Sequence, residues 1–347
     1  MVSMFAGVNS PKGFVSRFSE IQNEQEDCRK IYIKGGPGMG KSTILKRIAA
    51  RAEKEGYYTE VFPCSSDKNS LDGVNIPELK IVLVDATAPH CSDPIYLGVG
   101  GTIFNTAECI DNGKIKGKEK EIRFWSGEKK ELFAKGYNYL TAAAALLENA
   151  EKSWEKHADK NGLDDELKST ADKYLGKYIH RGRGKKRSLF LSAVCPDGVV
   201  SFADKVFAGC SVVSVKGKYG VSQFMKGIGD FALWQGFDVT VFYCPLFPDD
   251  KYEHILIPEL KLAFTTYNYY HHKPGRETVD LDRYIPENTA VDDKFDSEQA
   301  EIMVAKAAES FAGAKSAHAF LESIYTPAMD FGRLDEMTDE LEKSIFG

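Results

Sequence analysis

The residues best placed to do chemistry are Gly35-Gly36-Pro37-Gly38-Met39-Gly40-Lys41-Ser42-Thr43, which follow the apolar run Ile31-Tyr32-Ile33 and lead into an amphipathic stretch. Residues 35–42 fit the spacing G-x-x-x-x-G-K-[ST] of a Walker A loop between strand and helix. Glycines let backbone N–H groups turn inward around phosphates. A helix starting at Lys41 aims the positive end of its dipole at the same point. In this reading the loop from Gly35 to Thr43 cradles ATP, Lys41 reaches the β- and γ-phosphates and Ser42 holds Mg²⁺.

Such a loop needs an acid at the end of a neighbouring strand. Ile81-Val82-Leu83-Val84-Asp85 offers one: four apolar residues bury the strand, and Asp85 emerges at the edge where ligands bind, as the second Mg²⁺ ligand. The next residue is Ala86, not the glutamate that many ATPases place there. Asp67, Asp72 and His90 are the candidates for orienting water, against plain readings as solvated acids and a packing histidine. His90, with Lys41 and Asp85, completes the candidate catalytic set.

These residues belong to one copy of a duplication. Val61-Phe62-Pro63-Cys64 returns as Val241-Phe242-Tyr243-Cys244, and Ile76-Pro77-Glu78-Leu79-Lys80 as Ile257-Pro258-Glu259-Leu260-Lys261. Phe5, Pro11 and Gly13 match Phe190, Pro196 and Gly198, while Ala134-Lys135, Glu151 and Leu163-Asp164 match Ala305-Lys306, Glu322 and Leu334-Asp335. Collinear matches across nearly the whole chain divide it into residues 1–180 and 188–347, two copies of one domain. In the second copy Gly40 and Ser42 become Gly220 and Ser222, but Gly35, Lys41 and Asp85 become Val215, Val221 and Thr266; His90 becomes His271. The pair reads as one working site and one degenerate site, unless Lys216 or Lys218 substitutes for the missing lysine.

The elements around the motifs predict the frame. Residues 41–55 read as a helix, 58–63 and 81–84 as strands and 67–75 as a polar loop. Residues 128–158 and 164–178 form helical patterns, repeated at 297–325 and 334–344, so that each copy ends in a helical hairpin. The expected fold is α/β: two tandem P-loop NTPase-like domains, each a doubly wound parallel sheet. Residues 92–126 read as a loop-rich connection. The segment Arg181-Gly182-Arg183-Gly184-Lys185-Lys186-Arg187 is a solvated linker or, alternatively, a phosphate contact of the arginine-finger kind.

Composition limits the alternatives. The chain has 347 residues, a formal net charge of −6, 43% hydrophobic and 28% charged residues, so neither nucleic acid nor a membrane surface is an expected partner. No apolar run reaches the length of a membrane span. The first residues lack a charged segment and a long apolar core, so no export leader is expected and the expected compartment is the cytoplasm. Seven cysteines without C-x-x-C spacing speak against a disulfide framework or a zinc ribbon, and the matched pair Cys64 and Cys244 reads as small core residues.

Residues 35–43, the Ile76-Pro77-Glu78-Leu79 element, Asp85-Ala86-Thr87-Ala88-Pro89-His90 and Tyr325-Thr326-Pro327-Ala328-Met329-Asp330-Phe331 together resemble a bacterial family of tandem P-loop ATPase-like proteins, found mainly among Firmicutes. The resemblance covers most of the chain and implies ATP binding, with hydrolysis as a further expectation; it supplies no substrate or partner. Three functions stay open on the sequence: a slow Mg²⁺-dependent ATPase acting as a switch on an unknown protein or small-molecule partner, a small-molecule kinase, and a scaffold stabilised by nucleotide.

Overall fold

The computed structural model describes residues 1–21, 28–88, 93–94, 101–178, 182–268, 270–271, 275–287, 289, 291 and 293–347. The first half runs β1 (Val2–Ser3), β2 (Gly7–Ser10), β3 (Gly13–Ser16), β4 (Arg29–Lys34), α1 (Lys41–Lys54), β5 (Glu60–Cys64), β6 (Asp67–Ile76), β7 (Ile81–Asp85), β8 (Gly101–Asn105), α2 (Asn112–Ile115), α3 (Glu119–Glu155) and α4 (Lys160–Leu175). The second repeats the series as β9 (Lys186–Leu189), β10 (Ser192–Cys195), β11 (Gly198–Ser201), α5 (Ala203–Val206), β12 (Ser211–Lys216), α6 (Val221–Trp234), β13 (Val239–Cys244), β14 (Phe247–Ile257), β15 (Leu262–Thr266), β16 (Glu277–Asp280), α7 (Lys294–Tyr325) and α8 (Phe331–Phe346).

Each half builds a six-stranded sheet with the same strand order, β1-β5-β6-β7-β4-β8 and β9-β13-β14-β15-β12-β16. The sheets are mixed, which corrects the expected parallel arrangement. β4 lies parallel between β7 and β8, but β6 runs antiparallel to both β5 and β7. The reason is the segment read as a polar loop. Residues 67–76 form a strand that doubles back from β5, and only its second half is buried.

Alternation along the strands assigns the faces. Ile31 and Ile33 of β4 pack under α1 against Ile44, Leu45, Ile48 and Ala52, the apolar stripe of that helix. Tyr32, between them, faces the opposite way with Phe62, Val82 and Val84. There they join Leu189, Phe242 and Ala263 of the other sheet in one cluster. The long helices therefore cover one face of each sheet, and the other faces share a core to which the one-turn α5 adds residues, so neither sheet is doubly wound.

The helical layer also departs from expectation. α3 and α7 pack on one another as an antiparallel pair: Lys129 meets His318, Gly313 lies beside Leu132, and a Cβ on Gly136 would come within 2.3 Å of the Phe311 ring. α4 does not fold back on its own half. Its Ala171 and Leu175 enter the second half's core beside Phe224 and Ile228 of α6, while Leu334, Leu341 and Ile345 of α8 enter the first half's core beside Ile44 and Ile48. The predicted hairpins are thus opened, and their last helices exchanged.

Arg187, the last residue of the basic segment, is not a finger. Arg187 lies in β9 and holds Glu60 of β5 with two bonds of 2.7 Å, a pair that joins the halves; Arg181 falls outside the described residues. The stretch 92–126 contains β8, α2 and the first turns of α3. Among the described residues, no helix is long and apolar enough to cross a membrane.

Candidate functional site

The loop between β4 and α1 gathers at the C-terminal edge of the parallel strands. Gly38 and Gly40 have φ of 69° and 80°, conformations that favour glycine. A Cβ on Gly35 would meet the Thr106 hydroxyl at 1.9 Å, and that hydroxyl donates to the Lys34 carbonyl. The loop turns back on itself: Lys41 Nζ donates to the carbonyls of Gly35 and Gly36 at 2.8 and 2.9 Å, and Gly36 N–H points at Met39 Sδ. Met39 is buried in the core under α1, Thr43 is exposed, and Gly36 and Pro37 are half-buried. The Ser42 hydroxyl accepts from Leu71 N–H at 2.9 Å, so β6 orients it.

Asp85 pairs in register with Ile33, which brings it to the foot of the loop, 3.7 Å from Lys41 Nζ. Burial pushes its carboxyl up; Lys41 and the bonds from Thr87 pull it back, and Asp72 pushes it up again. Asp72 is therefore no solvated acid. It is the extra residue where the pairing of β5 with β6 slips between Phe62 and Pro63, and this bulge turns a buried carboxylate toward Asp85. Asp67 pairs with Lys315 of α7 at 3.0 Å. His90 lies outside the described residues.

Two further basic side chains come from the long helices. Lys129 of α3 and His318 of α7 stand 3.4 Å apart within electrostatic reach of Lys41. Burial, then Lys41, pulls the Lys129 amine down; burial, then Lys129 and Lys41, holds His318 at about 4. Three basic groups held this close favour an anion between them. The corner joining α7 to α8 covers the loop: a Cβ on Gly38 would come within 2.6 Å of the Thr326 hydroxyl, and one on Gly40 within 2.6 Å of Leu334.

The second half keeps the shape and changes the chemistry. Gly220 again begins a helix with φ of 84° and sits under a leucine from the other half, Leu163. The positions of Lys41, Asp85, Lys129 and His318 are taken by Val221, Thr266, Ala300 and Leu147, and these four line one cavity of about 400 Å³. Neither loop lysine restores the charge. Lys216 pairs with Asp280 at 2.8 Å, and Lys218 lies 4.0 Å over the Trp154 ring. The bulge recurs at Glu253, which faces His254 and His271. Burial pushes the Cys64 and Cys244 thiols up, Cys244 to about 12, leaving both un-ionised at neutral pH.

No family model matches the chain, and no curated protein and no solved structure is similar to it. The functional reading accordingly rests on the site itself. Of the residues singled out in the sequence, the structure sets Asp85 beside Lys41, with Ser42 next along α1 and held by β6. It keeps Asp72, one of the residues the sequence offered for orienting water, near Asp85, and adds Lys129 and His318. The signal for the last two was present in the repeat: aligning α3 with α7 sets Lys129 against Ala300 and His318 against Leu147, basic residues against apolar ones.

Proposed function

We propose that the first half is a P-loop nucleotide site that binds ATP with Mg²⁺ and hydrolyses it slowly. The observation that carries this reading is concerted. Lys41, Asp85, Lys129 and His318, drawn from four elements, converge on one loop, and all four are replaced together around the second loop. In this reading Lys41 leaves the Gly35 and Gly36 carbonyls for the β- and γ-phosphates, and Lys129 and His318 approach the outer phosphate. Ser42 and Asp85 hold Mg²⁺. Asp72 supplies the second carboxylate that Ala86 cannot, positioned to orient water.

The switch follows from the cover. Gly38 and Gly40 touch Thr326 and Leu334, which belong to the second half. A nucleotide that reshapes the loop must move the α7–α8 corner, and with it a helix packed along α3.

The deciding experiment is titration of the purified protein with a fluorescent ATP analogue, with and without Mg²⁺, beside phosphate release from ATP, for wild type and Lys41→Ala. Mg²⁺-dependent binding and turnover, both lost in the variant, support the reading. Binding without turnover replaces hydrolysis by phosphoryl transfer or by a stabilising role. No binding ends it.

A further inference from the structure

The second half's cavity holds chemistry that the first half lacks. Where β6 carries Asp72 and Gly73, β14 carries Glu253 and His254, and His271 comes from beyond β15 to meet them. We propose that Glu253, His254 and His271 form a binding site for a divalent first-row transition ion, with an open coordination position facing the cavity.

Three observations carry this. The first is geometry. His271 Nε2 lies 3.1 Å from Glu253 Oε1, His254 Nε2 lies 3.5 Å from Glu253 Oε2, and one ligand atom from each residue can be chosen so that all fall within 4.8 Å of one another. Ligands bound at about 2.1 Å around a tetrahedral ion stand roughly 3.4 Å apart; both Glu253–histidine distances lie near that value, and a small ion would draw in the wider spacing.

The second is the state of the imidazoles. Both Nε2 atoms are buried and form no directed hydrogen bond, although a carboxylate lies close to each. The His254 side chain is 0% exposed, Glu253 7% and His271 7%. Buried polar atoms beside one carboxylate and without hydrogen bonds can take another partner.

The third is orientation. His254 Nδ1 lies 2.8 Å from the Thr265 hydroxyl, which itself donates to the Thr266 carbonyl. When that hydroxyl accepts from Nδ1–H, the Nε2 lone pair is free, and this is the tautomer that a metal at Nε2 would select. Metal-binding histidines are fixed by the same kind of outer contact. Ser192 donates to Glu253 and anchors the carboxylate in turn. Two imidazoles and one carboxylate suit zinc, iron or manganese better than Mg²⁺ or Ca²⁺, which prefer oxygen. Glu253 and His271 line the cavity, so a fourth ligand can enter from there.

The test is titration of chelator-treated full-length protein with Co²⁺, followed by its visible absorption, and with Zn²⁺ in competition. A Lys41→Ala, Asp85→Ala background silences the first-half loop. The expected result is one equivalent of Co²⁺ with ligand-field bands, displaced by Zn²⁺, and without the charge-transfer band that a cysteine thiolate would give. Glu253→Gln and His254→Gly, the latter restoring the residue of the first half, should each lower the affinity at least tenfold. His271→Ala, at the cavity wall, serves as a second ligand variant if either buried change unfolds the protein by circular dichroism. Failure of the background protein to take up either metal would show a buried ion pair only and overturn the site. So would equal uptake by folded ligand variants.

Discussion

Phe5 and Phe190 exchange both backbone hydrogen bonds, Phe5 N–H to the Phe190 carbonyl at 2.9 Å and Phe190 N–H to the Phe5 carbonyl at 3.0 Å. They are the same residue of the two repeats, and both are fully buried. A residue that pairs with its own counterpart marks a two-fold relation between the halves. The same relation sets Gly40 under Leu334 and Gly220 under Leu163.

The exchanged leucines separate the two sites. Leu334→Ala should cost about 2–4 kcal/mol and weaken binding of the ATP analogue, because Leu334 packs under α1 and on Gly40. Leu163→Ala, its counterpart, should destabilise the protein and leave that binding unchanged. Urea unfolding and analogue titration of both variants check this.

Glu60 and Arg187 form the pair that joins β5 to β9, with Asn75 donating to Glu60 at 2.8 Å. Removing one partner strands the other in a buried position. Arg187→Met should cost about 3–5 kcal/mol in urea unfolding. Replacing both residues by apolar ones of similar size should recover much of it.

Lys129→Ala and His318→Leu give the first site the lining of the second. Each removes a basic group near the loop, a lysine or an imidazole that an anion beside it would protonate, and each should weaken the ATP analogue by about tenfold, the equivalent of ~1.4 kcal/mol. The same two changes should do little to stability, because neither side chain belongs to the core.

His318 also fixes a pH dependence. Its folded pKa, about 4, lies below its ordinary 6.5, so the unfolded chain takes up the proton first. Acidification from 6.5 to 4 therefore favours unfolding through this group; below 4 both states carry the proton, and above 6.5 neither does. The side chain is 41% exposed, so water softens the effect. His318→Leu should flatten the stability of the protein across that window. If a nucleotide phosphate sits beside the imidazole, binding should take up a proton there, measurable by calorimetry in buffers of different ionisation enthalpy.

What could be read in the sequence was what local sequence decides. The glycine loop, the helix at Lys41 and the buried strand ending in Asp85 each follow from a few consecutive residues, and the repeat follows from comparing the chain with itself. β6 was hidden because Asp67-Lys68-Asn69-Ser70 has the composition of a turn; its strand character comes from the hairpin with β5 and the burial of residues 72–76. Asp72 could be named from the sequence but its burial at a bulge could not, and Glu253 was hidden altogether, because a slipped register leaves no mark in composition. The paths of α4 and α8 were hidden for another reason. An amphipathic pattern says that a helix has an apolar face, not which of two similar sheets will cover it.

The exchange of α4 and α8 has a consequence for how the two sites could come to differ. Two separate, identical chains crossed in this way would make a swapped homodimer, and every substitution would then appear in both sites at once. Such an assembly could not lose Lys41 from one loop and keep it in the other, nor gain His254 on one side alone. Covalent continuity removes that coupling. Each site can change while its cover, supplied by the opposite half, stays in place, so a single polypeptide can carry one cation-lined loop and one Glu-His-His cavity on the same scaffold.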